Sequence, residues 1–190
     1  MEESFPCSAT GYHVEAKIGR GAFSVVYKAV CISKRIDVAI KAMELDQECT
    51  NFDEILEEIR TMRLANHENL LRCYCSFLEM DKLWVVIQFM DKGSCLRILN
   101  KARQLGLGEG KQHSKYINAL HIGMNESWIA YILSETLKGL EYLHHSGQMH
   151  RDIKAGNILT DSVGRVCLAD FGVSGYLFAQ GIVIIIFLCV

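Results

Sequence analysis

Between His150 and Gly172 the chain reads HRDIKAGNILTDSVGRVCLADFG. Asp152 stands five residues before Asn157 and eighteen before Asp170, which Phe and Gly follow. A carboxylate, an amide and a second carboxylate in this order suit phosphoryl transfer. Asp152 can accept the proton of an attacking hydroxyl. Asn157 and Asp170 offer hard oxygen ligands to magnesium held against nucleotide phosphates. Lys154, two residues beyond Asp152, can stabilise charge on the transferring phosphoryl group. Such chemistry is mainly positioning and charge neutralisation, so anchored oxygens matter more than a strong nucleophile.

Elements far upstream must supply the rest of a nucleotide site. Tyr12 to Val30 alternates as two strands joined by a Gly-rich turn, Ile18-Gly-Arg-Gly-Ala-Phe-Ser-Val-Val26. Gly19 and Gly21 let backbone N–H groups approach phosphate closely, and Val26 can cover a base. Two glycines in a hairpin are common and carry weight only alongside the motifs downstream of them. Val38-Ala39-Ile-Lys41 is a short apolar strand ending in lysine, twenty-two residues after Gly19. Residues 51–65 then place Phe52, Ile55, Leu56, Ile59 and Met62 at helical spacing, with Thr50 or Asn51 as cap. Glu58 shares that inward face, and an inward charge wants a partner. Lys41 is the candidate, with Glu57 and Glu54 as alternatives to Glu58.

Leu70 to Phe77 and Leu83 to Phe89 read as strands around an Asp81-Lys82 turn, the second apolar enough to be buried on both faces. The pattern breaks at Gln88-Phe-Met-Asp-Lys-Gly93, as a hinge would, and backbone groups from Gln88 to Met90 can bind an adenine edge with Ile87 behind it. Ser94 caps a helix to about Ala102. Residues 103–125 read as a loop or insertion without a motif. From Asn125 an amphipathic helix carries Trp128, Ile129, Ile132, Leu133, Leu137, Leu140 and Leu143 to His144-His-Ser-Gly147 and reads as core scaffold. Leu159 is placed to floor a base.

Composition narrows the classes. Half of the 190 residues are hydrophobic and net charge is −2, which points away from disorder and from nucleic-acid binding. The eight cysteines form no C-x-x-C pair and no zinc spacing, and Cys73 and Cys75 are expected on opposite faces of a strand, against shared ligation. An acidic start without an apolar run is no secretory leader, so a cytoplasmic location and reduced thiols are expected.

HRDIKAGNIL, DFG, the Gly-rich hairpin and VAIK together resemble the protein kinase family from about Tyr12 to Leu177. GLEYLHHSGQMHRD and DFGVS are similar to the sterile-twenty-like serine/threonine kinases, and DEILEEIRTM and DKLWVV to their oxidative-stress-responsive and proline-alanine-rich branch. The resemblance implies an α+β, two-lobe fold with a β-rich N-lobe over about 12–87, a hinge over 88–93 and a partial helical C-lobe over 94–177. ATP and Mg2+ are the implied cofactors, in a cleft between the lobes. Ile18, Gly19, Gly21, Val26, Ala39, Lys41, Ile87, Gln88, Met90 and Leu159 would contact the nucleotide, and Lys41 would pair with Glu58. Asp152, assisted by Lys154, would act as base, and Asn157 and Asp170 would bind the metal. Implied partners are a protein with a Ser/Thr acceptor and an upstream with-no-lysine kinase, in osmotic and ion-transport signalling.

The sequence also departs from the family. Ser24 replaces the third glycine of the hairpin. After Leu177 the chain runs into Phe-Ala-Gln-Gly-Ile-Val-Ile-Ile-Ile-Phe-Leu-Cys-Val, with no activation loop and no A-P-E. Residues 1–11 are expected to be a flexible leader and 178–190 a divergent hydrophobic tail of a truncated product. Even fourteen residues from Leu177, at about 1.5 Å each, fall short of a ~30 Å hydrocarbon core, so a membrane span is not expected. The alternative to an active kinase is a non-catalytic chain that binds nucleotide or a partner.

Overall fold

The computed structural model describes residues 4–21, 24–44, 59–60, 62–104, 124–170 and 175–176. The chain divides into two units, Met1–Met90 and Asp91–Val190.

In the first unit, β1 (Tyr12–Arg20), β2 (Ser24–Cys31), β3 (Ile36–Glu44), β4 (Cys73–Glu79) and β5 (Lys82–Gln88) form one antiparallel sheet in the order β1-β2-β3-β5-β4. The branched residues Val38, Ile40, Val85, Val86 and Ile87 suit the pleat and are all buried in the inner strands β3 and β5. β1 lies at an edge, buries only Tyr12, and carries two register shifts that bend it and discourage further pairing. β4 and β5 join through Met80 and Asp81, one residue earlier than the expected Asp81-Lys82 turn, because Glu79 pairs with Lys82. Met80 takes the left-handed φ of 52° that this tight turn requires.

One sheet face gathers Tyr12, Ala29, Cys31, Val38, Ile40, Cys75, Phe77 and Val86. The segment before β1 covers it. Phe5 and Ala9 pack against the cluster, Phe5 stacks on Tyr74 at 4.1 Å, and residues Ala9–Gly11 form a 3-10 turn. The Tyr12 hydroxyl donates to the Pro6 carbonyl at 2.7 Å. The expectation of a flexible leader therefore does not describe residues 4–11; apolar Phe5, Pro6 and Ala9 have a sheet face to bury against.

Cys73 and Cys75 do face opposite ways, for a reason that simple alternation does not supply. Residues two apart in a regular strand share a face. Here the register shifts between them, so Cys73 pairs with Ile87 and Cys75 with its neighbour Val86. Residues 59, 60 and 62–64 are helical, with Ile59 and Met62 buried as their spacing requires. Glu54, Glu57, Glu58, Phe52, Ile55 and Leu56 lie outside the described residues.

In the second unit, β6 (Gly93–Ser94), β8 (Ile158–Thr160) and β9 (Val166–Leu168) form a small sheet in the order β6-β8-β9, and β7 (Gln148–Met149) pairs with β10 (Gly175–Tyr176). Helix α1 (Cys95–Gln104) starts where Ser94 Oγ accepts the Arg97 N–H at 3.2 Å. Helix α2 (Glu126–His145) is capped by Asn125, whose side chain accepts the Ser127 N–H at 3.0 Å, and stops before Gly147 at φ 72°. It buries Ile132, Thr136, Gly139 and Leu143, a row at intervals of four and three. Trp128, Ile129, Leu133 and Leu137 are exposed instead, so α2 is core on one side only, not on its whole apolar arc. No helix among the described residues is long and apolar enough to cross a membrane; the apolar run 182–190 lies outside them.

Candidate active site

The sheet of the first unit aligns half of the expected nucleotide residues. Val26 pairs with Lys41 and Lys41 with Val85; in the next row Lys28 pairs with Ala39 and Ala39 with Ile87. Directly paired residues point to the same side of a sheet, so Val26, Ala39, Lys41 and Ile87 share the face opposite the leader. Gly19 pairs with Val26 and joins them at the sheet edge. A Cβ on Gly19 would meet Val26 only at ordinary contact, 3.5 Å, so nothing among the described residues demands glycine there. Space left by the missing side chain is what an approaching phosphate needs. At Gly21 a Cβ would come within 2.8 Å of Ser24 Oγ, and the Gly21 N–H donates to the Ser24 carbonyl at 2.8 Å, closing the turn. Ile18 is exposed on β1, Gln88 ends β5 half-buried, and Met90 is buried.

The second unit brings three of the expected residues into direct contact. Lys154 Nζ donates to Asp152 Oδ2 at 2.6 Å. Asn157 Nδ2 donates to that same oxygen and to the Asp152 backbone carbonyl, each at 2.9 Å. With the amide nitrogen so engaged, Asn157 keeps its carbonyl oxygen as the atom able to ligate a cation. The buried Asn157 also accepts the Ala169 N–H at its own backbone carbonyl, at 2.8 Å. Asp170, next in sequence, is thereby tethered beside the loop. Leu159 is half-buried on β8, paired with Ser94 and Cys167.

His150 is the residue of this loop that its motif left without a role. It is buried, its Nδ1 accepts the Asp152 N–H at 3.2 Å, and its Nε2 lies 3.0 Å from the Ala169 carbonyl. Accepting at one nitrogen makes the other the N–H donor, so the neutral ring joins Asp152 to the residue before Asp170. Burial holds its pKa below the usual histidine value, against the opposing pull of the Ala169 carbonyl and the Asp152 charge. The signal for this role was present as a buried-type aromatic between a strand and HRD's aspartate, yet burial cannot be read from three letters.

Charge and strain concentrate here. The Lys154 ammonium hydrogen bond, helped by Asn157, holds the Asp152 carboxyl below the ordinary carboxylate range, so it stays ionised at neutral pH. Arg151 and Asp170 take left-handed backbone angles, φ 64° and 56°, which cost about 1–2 kcal/mol each for residues with a Cβ. Strain at a candidate base's neighbour and at a candidate metal ligand is what a preorganised site displays.

The sequence matches the protein kinase domain family over residues 12–182. The chain belongs to the protein kinase family. This kinase chain is 40% identical over 179 residues to Germinal center kinase 3 of Caenorhabditis elegans, spanning 94% of itself and 29% of that protein. It is 38% identical to Serine/threonine-protein kinase fray2 of Dictyostelium discoideum, over 94% of itself and 16% of the relative. With Serine/threonine-protein kinase ppk11 of Schizosaccharomyces pombe it shares 36% identity over 84% of itself and 45% of the relative. The kinase chain thus spans less than half the length of these relatives, which accord with the sterile-twenty-like resemblance.

The donor chemistry fits magnesium nucleotide. Among the described residues no three His, Cys, Asp or Glu side chains cluster as a metal site, so a cation here would have to draw most of its ligands from elsewhere. Magnesium does so habitually, taking one or two protein oxygens and completing its shell with phosphate and water. Asn157 Oδ1 and the Asp170 carboxylate are suitable oxygens. The larger groove of the second unit, about 960 Å3 between α1, α2 and the β8–β9 turn, contains none of the expected site residues.

Proposed function

We propose that this chain carries the nucleotide-binding and catalytic-loop part of a serine/threonine protein kinase, which moves the γ-phosphoryl group of ATP to a Ser or Thr hydroxyl of a protein. The observation that carries the reading is the Asp152–Lys154–Asn157 network, tied through Asn157 and His150 to Ala169 beside Asp170. In this reading Ile18, Gly19, Gly21, Val26, Ala39, Ile87, Gln88, Met90 and Leu159 contact the nucleotide, and Lys41 binds its phosphates, with Glu58 as partner of the lysine. Asn157 and Asp170 hold magnesium, which when bound neutralises charge on the phosphates. Asp152 accepts the hydroxyl proton. Its low pKa makes it a weak base, which suits a role in orienting the hydroxyl and taking its proton late. Lys154 then serves two partners in turn, the Asp152 carboxylate and the transferring phosphoryl group.

Location in the cytoplasm, an upstream kinase of the with-no-lysine type and a stress or ion-transport pathway belong to this proposal through the resemblance alone. The test begins with binding. Lys41→Met and Asp170→Ala should each weaken magnesium-dependent ATP binding about tenfold or more, seen as a lost nucleotide-induced melting shift. Unchanged shifts in both variants would overturn the assignment. Asp152→Ala should keep ATP binding and lower phosphate transfer to a basic protein roughly 10²–10⁴-fold. Intact ATP binding with no transfer by the unsubstituted chain would instead favour the non-catalytic reading.

A further inference from the structure

The leader and the sheet meet at a group of sulfur and hydroxyl atoms that phosphotransfer does not use. Cys75, buried on the leader side of β4, donates its thiol to the Pro6 carbonyl at 3.3 Å and lies 3.3 Å from the Tyr12 hydroxyl. Cys7 comes directly after Pro6, is exposed, and has its thiol 3.8 Å from the Phe5 carbonyl. The Pro6 carbonyl carbon is bonded to the Cys7 nitrogen, so a contact to that carbonyl brings the Cys75 sulfur within one side-chain length of Cys7.

The other described thiols are turned elsewhere. Cys31 engages Ser33 at 3.7 Å, Cys73 lies on the far face beyond the register shift, and Cys95 and Cys167 belong to the second unit.

We propose that Cys7 and Cys75 form a redox-responsive pair whose disulfide clasps the leader to the outer face of the five-stranded sheet. Hydrogen peroxide first oxidises the exposed partner: the Cys7 thiol becomes a sulfenic acid and one water leaves. The Cys75 thiol then attacks the Cys7 sulfur, forming the S–S bond and releasing a second water, so one peroxide consumes two thiols and two waters form. Cys7 is attacked because it is reached by solvent, whereas burial raises the Cys75 thiol and keeps it from reacting alone. The neighbouring Tyr12 hydroxyl can turn its hydrogen toward the Cys75 sulfur as the thiolate develops, which eases the second step. A dithiol reductant reverses the bond.

The test uses the full, reduced chain treated with equimolar hydrogen peroxide, then alkylated and digested without reductant. The expected product is a cross-linked peptide joining Cys7 to Cys75, with the intact mass lower by two hydrogens. The oxidised chain should melt roughly 5–10 °C above the reduced one, since the bond closes a long loop. Cys7→Ser removes both effects and, at an exposed position, should fold normally. Cys75→Ala, free of a buried hydroxyl, provides the matching variant for the second sulfur. Recovery of Cys7 as sulfinic acid, or cross-linked to any other cysteine, while Cys75 is alkylated intact after unfolding, would overturn the proposal. So would an equal melting rise in Cys7→Ser.

Discussion

The leader-covered face of the five-stranded sheet and the loop from His150 to Asp170 are held by opposite means. The sheet face is a continuous apolar cluster, with Val38, Ile40 and Val86 wholly buried. The loop is held by directed hydrogen bonds among His150, Asp152, Lys154, Asn157 and Ala169, around two residues at left-handed φ. Apolar burial tolerates small displacements but needs volume; a hydrogen-bonded loop needs angles and loses function before it loses fold. The scaffold should therefore answer to substitution in stability, and the loop in site geometry. Ile40→Ala gives the sharpest contrast. Ile40 is fully buried between Tyr27 and Val86 in adjacent strands, so the variant should lose about 3 kcal/mol, read from its urea midpoint at unchanged slope.

That contrast also explains what the sequence revealed. The apolar run 83–89 discloses an inner strand because burial on both faces admits few polar residues, the alternation in 12–30 coincides with strands although β1 buries only Tyr12, and Ser94 and Asn125 disclose helix starts because capping needs particular side chains. The motif letters singled out Asp152, Lys154 and Asn157, and the structure brings these three side chains into hydrogen-bond contact. Three features left no such trace. The order β1-β2-β3-β5-β4 depends on long-range pairing. Packing of Phe5 and Pro6 depends on a face that exists only after the sheet has formed. The separation of Cys73 from Cys75 depends on one extra residue in a ladder, and the tether through His150 on burial of its ring.

His150→Ala tests the loop side of the comparison. It would leave the Asp152 N–H and the Ala169 carbonyl without their side-chain partner, with an expected loss of about 2 kcal/mol, and amide exchange at Asp152 should accelerate. The unsubstituted protein should show a matching pH signature. The folded-state pKa of His150 lies below the usual 6.5, so between the two values the unfolded chain binds the extra proton. Stability is then full above about pH 6.5 and falls as pH drops below it. Urea midpoints between pH 5 and 8 should show that decline, and His150→Ala should flatten it. A slope that survived the substitution would assign it to another group.

A smaller effect is expected where the two means of support meet. Tyr12→Phe keeps the ring in the sheet cluster and deletes the hydroxyl that donates to Pro6. The Cys75 thiol already reaches the same carbonyl and partly replaces the lost donor. The net loss should be about 1 kcal/mol, with faster proteolysis confined to the leader. A loss as large as that of Ile40→Ala would mean that the leader contributes more than cover.

Lys154→Met should be the mildest change in stability and the most local in chemistry. Its ammonium and the Asp152 carboxylate are both well exposed, so solvent screens their attraction and the urea midpoint should stay within error. The Asp152 carboxyl should nevertheless move up toward the ordinary range, because Lys154 is the main cause of its depression while Asn157 remains. Carboxyl carbon shifts tracked by NMR from pH 2 to 6 would read that movement directly. The sign comes from the same depression: Asp152 adds to stability only above its unfolded value near 3.8 and ceases to as pH falls through the folded one. An unmoved titration, or a stability loss rivalling His150→Ala, would place Lys154 in the structural frame of the loop and remove it from the chemistry of Asp152.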